Sequence, residues 1–264
     1  MPKHLVTGSP GCPPVIVLFL HSRDVAGMDF CMVMAKPPSE HLAETLRRRL
    51  AAAAPSTAGC YRRFVPELSY GRHRGPAGPD ARPAAVVALL YPARGQCYLP
   101  LTLRPVSMTD HAGQICLPGG GAEQGEAART CALRELHEEL GVDPAPLRVL
   151  GSLPPIYVYA SNFLVCPFVA WAPQRPDFCP DPREVAELLE LPVAHLLDER
   201  NYRTQAMMRG PLSFQAPGIM FQGRHIWGAT ALILGELLAV LRGAQEEWCG
   251  SLVSMPAVRV IMRP

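Results

Sequence analysis

Apolar residues recur along this chain with two different periods. Ala84–Tyr91 (AAVVALLY) and Cys97–Arg104 (CYLPLTLR) are short dense blocks bounded by turn residues, which predicts buried strands. Gln114–Leu117 reads as another short strand, ending on Pro118-Gly119-Gly120. From Ala127 the period becomes helical. Leu133, Leu136 and Leu140 fall in one arc, and Gly141 stops the helix. Val149–Tyr159 and Val165–Trp171 return to strand patterns, with Pro154 and Pro155 confined to an edge, bend or loop. Pro173–Pro182 is a loop, Glu184–Glu190 a short helix or turn, and Leu191–Leu197 begins another element. Phe214–Phe221 looks like a hairpin piece, and Trp227–Leu241 is the longest helix candidate. Upstream, Ser39 caps a basic helix with Leu42, Leu46 and Leu50 on one face. Strands and helices in mixed order, with no repeat, predict an α/β sandwich.

The same pattern divides the chain. Residues 1–50 read as an N-terminal extension carrying the basic helix, and residues 51–83, rich in Ala, Pro, Gly and Arg, as a linker. Residues 84–245 form the main domain and 246–264 a C-terminal tail. A second plausible start at Met34 makes residues 1–33 either a mobile extension or a start placed too early.

Composition narrows the classes. Of 264 residues, 48% are hydrophobic and 18% charged, so a large core is expected and disorder is not. A net charge of +2 gives no support to a nucleic-acid or membrane-surface partner. Val15–Leu20 is too short to span a bilayer, and Glu236 interrupts Ile226–Leu241, so no membrane association is expected. The nine cysteines include no pair at zinc-knuckle spacing. They read as free thiols of a reducing, cytoplasmic setting.

The chemistry concentrates in residues 119–142, GGGAEQGEAARTCALRELHEELGV. Arg134 is followed by Glu135, Glu138 and Glu139, carboxylates at helical neighbour spacing that repel one another unless solvated or holding a cation. Oxygen-only ligands on a rigid helix suit a hard divalent ion such as Mg²⁺ or Mn²⁺. Zinc fits poorly, since His137 points off that arc. Ala128 and Ala132 lie near the arc and leave room above it, and the preceding glycines let backbone approach a phosphate or metal closely.

These residues resemble the Nudix box, G-x5-E-x7-R-E-U-x-E-E-x-G-U with U aliphatic. Gly120, Glu126, Arg134, Glu135, Leu136, Glu138, Glu139, Gly141 and Val142 fill its positions. The resemblance implies the Nudix fold, a mixed β-sheet sandwiched between α-helices, and hydrolysis of a nucleoside diphosphate derivative. It implies metal ligation by Glu135, Glu138, Glu139 and the Gly119 carbonyl, with Arg134 orienting a glutamate. The segment Leu101–Gly120 further resembles the coenzyme A pyrophosphatase subfamily, through Arg104, His111, Gly113, Gln114, Ile115 and Pro118-Gly119-Gly120. Leu117 and Pro105 depart from its usual Phe and small polar residue. Leu153–Tyr157, Ser161–Pro167, Leu191–Leu197 and Ile226–Ala231 extend the likeness.

That resemblance implies cleavage of coenzyme A or acyl-CoA to 3′,5′-ADP and (acyl-)4′-phosphopantetheine. Arg104, His111 and Gln114 would contact this small-molecule substrate. The alternative is another nucleoside diphosphate derivative: NADH, ADP-ribose or an oxidised nucleotide. A homodimer is left open. Glu184 and Glu187 read as a solvated helix end rather than as further ligands, and Trp227 as core rather than a stacking platform.

Overall fold

Both faces of the first apolar block are buried. In the computed structural model, which describes residues 38–52, 60–67, 76–107 and 112–253, that block is strand β1, Arg82–Ala93. Ala84, Ala88 and Leu90 join one hydrophobic cluster, while Ala85, Val87, Leu89 and Tyr91 join a second. Successive strand residues point to opposite faces, so a strand apolar at every position must be covered on both.

Helix α1, Pro38–Ala52, and a 3-10 turn, Cys60–Phe64, precede β1. After it come β2, Gln96–Leu103, β3, Ile115–Cys116, β4, Gly119–Gly121, and helix α2, Ala128–Leu140. Strands β5, Arg148–Ser152, β6, Ile156–Val158, β7, Phe163–Trp171, and β8, Glu187–Pro192, lead to helix α3, Val193–Leu197. Strands β9, Tyr202–Arg209, β10, Leu212–Phe221, and β11, Arg224–Trp227, then lead to helix α4, Gly228–Val253.

β1 organises a mixed eight-stranded sheet. It runs parallel to β7 from Arg82↔Phe163 to Leu90↔Trp171. Its first half also pairs β4 antiparallel, with Ala85 opposite Gly120, and its end pairs β2 at Tyr91↔Tyr98. β5 and β6 extend the β7 side, and β3 and β8 flank β2. β9, β10 and β11 form a separate antiparallel sheet. One cluster packs the large sheet against α1 and α4 through Leu46, Leu50, Leu234 and Leu237; the other packs it against α2 through Cys131, Ala132, Leu136 and Leu140. This is the expected sheet between helices. Among the described residues no helix is long and apolar enough to cross a membrane.

Several elements differ from the sequence expectation. The segment 187–192 is a strand, not a helix: Leu189 and Leu191 are buried alternately, and β8 pairs β2 from Glu187↔Leu103 to Pro192↔Tyr98. Val149–Tyr159 is two strands, since prolines 154 and 155 donate no ladder hydrogen bond. β9 carries too little apolar alternation to be read as a strand, yet it pairs β10 along its whole length. α4 runs on into the segment read as tail, ending at Val253. Within the segment read as an extension, α1 contributes Ala43, Leu46 and Leu50 to the main core, and Phe64 of the segment read as linker is buried with them. The N-terminal residues 1–33 lie outside the described residues. Leu133 is only half-buried, and Cys131 and Ala132 take the core positions instead. Trp227 is half-buried and tilted against Phe214, ring centroids 6.0 Å apart.

Candidate active site

β4 places the glycine run beside α2. Gly119 lies at φ 149°, and a Cβ there would meet the Ala85 carbonyl oxygen at 2.3 Å and the Val86 Cα at 2.6 Å, so only glycine fits against β1. A Cβ on Gly120 would instead meet the Glu135 carboxylate, at 2.5 Å from Oε2. The side-chain-free backbone is what lets that carboxylate lie over β4.

α2 leaves its last carbonyls to be satisfied from outside, as any helix does. Gly141, at φ 67°, donates to the His137 carbonyl at 2.7 Å. Cys179 donates to the Leu140 carbonyl at 2.8 Å and Asp181 to the Glu139 carbonyl at 2.9 Å. The loop is thereby tied to the end of α2. The N–H groups of Glu184 and Val185 close back on the Asp181 carbonyl, and Val185 is buried in the second core.

This brings Glu184 to α2. Ligand oxygens of Glu135, Glu139 and Glu184 all lie within 4.8 Å of one another. Glu138 is not in this group. At about 100° per residue, Glu139 sits about 40° from Glu135 toward the core, while Glu138 sits about 60° to the other side. Accordingly Glu139 is 1% exposed, whereas the Glu138 side chain is 52% exposed and pairs with Arg134 at 2.7 Å. His137 is exposed, with Nδ1 3.1 Å from the Val142 carbonyl oxygen.

Arg134 ties the box together. Its Nε and Nη2 donate to Glu126 at 2.9 and 3.0 Å, its Nη1 to Glu135 at 2.9 Å and its Nη2 to the Gly121 carbonyl at 3.2 Å. The bidentate pair holds the Glu126 carboxyl down at about 2. Glu139 is pushed the other way, up to about 8, because burial disfavours its charge more than the Gly119 N–H and Arg104 favour it. That N–H donates to Oε2 at 3.2 Å, and Arg104 Nη1 lies 3.6 Å from Oε1. Burial also raises Glu135, against the pull of Arg134.

Arg104 stands at the end of β2, its N–H donating to the Gln114 carbonyl at 3.0 Å. Its Nε is buried and has no hydrogen-bond partner among the described residues, an arrangement that calls for a further acceptor. Arg104, Gly119, Glu135 and Glu139 are thus brought together, with Gln114 adjoining through its backbone; His111 lies outside the described residues. Glu184 is the residue that sequence reasoning sets aside. The signal for it is its position ahead of an alternating strand, which excludes a solvated helix end.

The chain matches the NUDIX domain family model over residues 81–208. It is 34% identical over 138 residues to the uncharacterized Nudix hydrolase NudL of Pectobacterium atrosepticum, covering 52% of this chain and 71% of the relative. It is 33% identical over 153 residues to NudL of Salmonella paratyphi B, covering 57% and 79%. This chain belongs to the Nudix hydrolase family. A MutT/nudix family protein from Enterococcus faecalis aligns in structure at 15% identity over 72% of this chain and 76% of that one, with a TM-score of 0.43. The segment matched to the Nudix domain runs from β1 into β9 and contains Arg104, Arg134 and the three converging glutamates, leaving α1, β10, β11 and α4 outside it.

Proposed function

We propose that this Nudix hydrolase is a metal-dependent pyrophosphohydrolase that cleaves coenzyme A or acyl-CoA to 3′,5′-ADP and (acyl-)4′-phosphopantetheine. One observation carries the reading: three carboxylates converge where a buried arginine nitrogen has no acceptor among the described residues. The donor set is oxygen-only and, with Arg104 counted against three glutamates, keeps a net negative charge, which suits Mg²⁺ or Mn²⁺. Glu135, Glu139 and Glu184 would hold the cation. When bound it supplies charge neutralisation on the diphosphate and activation of the attacking water.

The chain's own groups do the rest. Arg104 donates Nε–H to a phosphate oxygen, and with it the diphosphate is placed against the carboxylates. The Gly119 N–H fixes Glu139, Arg134 fixes Glu135, and Glu126 fixes Arg134, so the carboxylates are set in advance of substrate. Glu138, held at the surface by Arg134, supports the box from outside. The choice of coenzyme A rests on the likeness around Arg104, His111 and Gln114; the NudL relatives, being uncharacterized, add nothing to it. Among the described residues Cys97, Cys116, Cys131, Cys166 and Cys179 are free thiols, which favours a reducing, cytoplasmic setting.

The test is to incubate purified protein with Mg²⁺ or Mn²⁺ and coenzyme A, an acyl-CoA, NADH, ADP-ribose and an oxidised nucleotide, and to weigh the products. Coenzyme A or its thioester should turn over fastest, releasing 3′,5′-ADP. Equal or better turnover of a substrate without pantetheine overturns the assignment.

A further inference from the structure

Two hairpin turns meet over one cavity, toward the opposite end of β2 from Arg104. β1 passes to β2 through Arg94-Gly95, and β10 to β11 through Gln222-Gly223, each a two-residue loop. Both residues of each loop have positive φ, 47° and 72° in one and 50° and 75° in the other. Hairpins of this pattern ordinarily place Asn, Asp or Gly at the first position, because longer side chains are strained there. Here the first positions hold Arg94 and Gln222, and both line a cavity of about 210 Å³ together with Tyr98, Arg175, Leu188 and Glu190.

The cavity's carboxylate is already engaged. Glu190 accepts from Arg175 Nε at 2.8 Å and Nη2 at 2.9 Å, and from the Tyr91 hydroxyl at 2.7 Å. Arg175 is further fixed over the Phe178 ring, 5.0 Å from its centroid. Two guanidiniums against one carboxylate leave the lining with a net charge of +1, located at Arg94. Arg94 acts on Glu190 only through its charge, so its guanidinium and the Gln222 primary amide, both lining the cavity, are donors to a group with several acceptor oxygens. We propose that this cavity binds a small oxyanion, a phosphate or carboxylate group, gripped by Arg94 and Gln222. The two turns carry unfavourable residues because those residues reach the ligand.

Arginine-selective modification of the full-length protein with phenylglyoxal, followed by peptide mass analysis, tests this at the residue concerned. Inorganic phosphate and acetate serve as probes, with chloride at equal ionic strength as the control. Phosphate or acetate should slow modification of Arg94 severalfold and leave the exposed Arg203 unchanged. The probe effective at lower concentration tells a tetrahedral from a planar ligand. Gln222→Asn suits the turn better, so the variant should melt no lower than the parent, yet its half-protecting concentration should rise about tenfold, the weight of one charge-assisted hydrogen bond. Equal protection by chloride, no protection, or unchanged protection in Gln222→Asn overturns the proposal.

Discussion

At Glu139 burial opposes the charge that the proposed metal site needs. It is 1% exposed, and its carboxyl is pushed up to about 8 from an ordinary 4.5 by burial. A folded-state value above the unfolded one means that the folded chain binds the proton more tightly. In chelator the protein should therefore have this contribution in full below about pH 4.5 and lose it as pH rises through about 8. Melting temperatures across that range should fall in the parent and fall less in Glu139→Gln, which keeps an acceptor for the Gly119 N–H. Added Mg²⁺ or Mn²⁺ should restore the parent at the alkaline end and do little for the variant. The same variant should lose turnover by orders of magnitude while folding normally; near-parental activity would remove Glu139 from the reacting centre. The proximity of Glu135 and Glu139 follows from spacing alone, because a helix converts sequence offset directly into angle. The same offset places Glu138 near Glu135, and only burial distinguishes the inner from the outer side of the arc. Glu184 comes from a distant loop, and no periodicity relates it to α2.

At the scale of the element, β4 separates fold from chemistry within two adjacent residues. A Cβ on Gly119 would strike β1 backbone, 2.3 Å from a carbonyl oxygen, and would sit at a φ of 149°. A Cβ on Gly120 would strike only the end of the Glu135 side chain. Gly119→Ala should accordingly destabilise by roughly 1–3 kcal/mol or more, read as a lower denaturant midpoint. Gly120→Ala should leave the midpoint almost unchanged and cut turnover by displacing Glu135. If both lost only stability, or both only activity, the division would fail. Elements whose residues are apolar on a clear period, β1, β7 and α2, are legible in the amino-acid sequence. β9 is not, since Tyr202, Arg203, Thr204 and Gln205 show no buried alternation and the strand is specified by its partner β10. The segment Glu184 to Glu190 reads as a short helix or turn because it holds glutamates and leucines, which favour helices intrinsically; a turn ends at Glu184, and the alternate burial of Leu189 and Leu191 on β2 decides for a strand from Glu187.

At the scale of the molecule, the segment matched to the Nudix domain contains only one of the two core clusters whole. The stretch matched to the Nudix domain, 81–208, supplies the large sheet and α2. One face of that sheet is covered by residues outside it: Ala43, Leu46 and Leu50 of α1, Phe64, and Leu234, Leu237 and Leu241 of α4. The contact is close at Gly151 of β5, where an added Cβ would lie 2.8 Å from that of Leu50. A strand buried on both faces cannot keep its packing when one cover is loosened. Leu46→Ala, far from the box, should therefore cost about 2–5 kcal/mol, as much as Leu136→Ala within it, each being a fully buried leucine. Both losses should appear in a single cooperative unfolding transition measured by circular dichroism and by tryptophan fluorescence. If α1 were an appendage, Leu46→Ala would leave the main transition in place and add an earlier, smaller one. Coincident shifts in both probes would establish that the hydrolase unit includes α1, well ahead of the first residue of the family match.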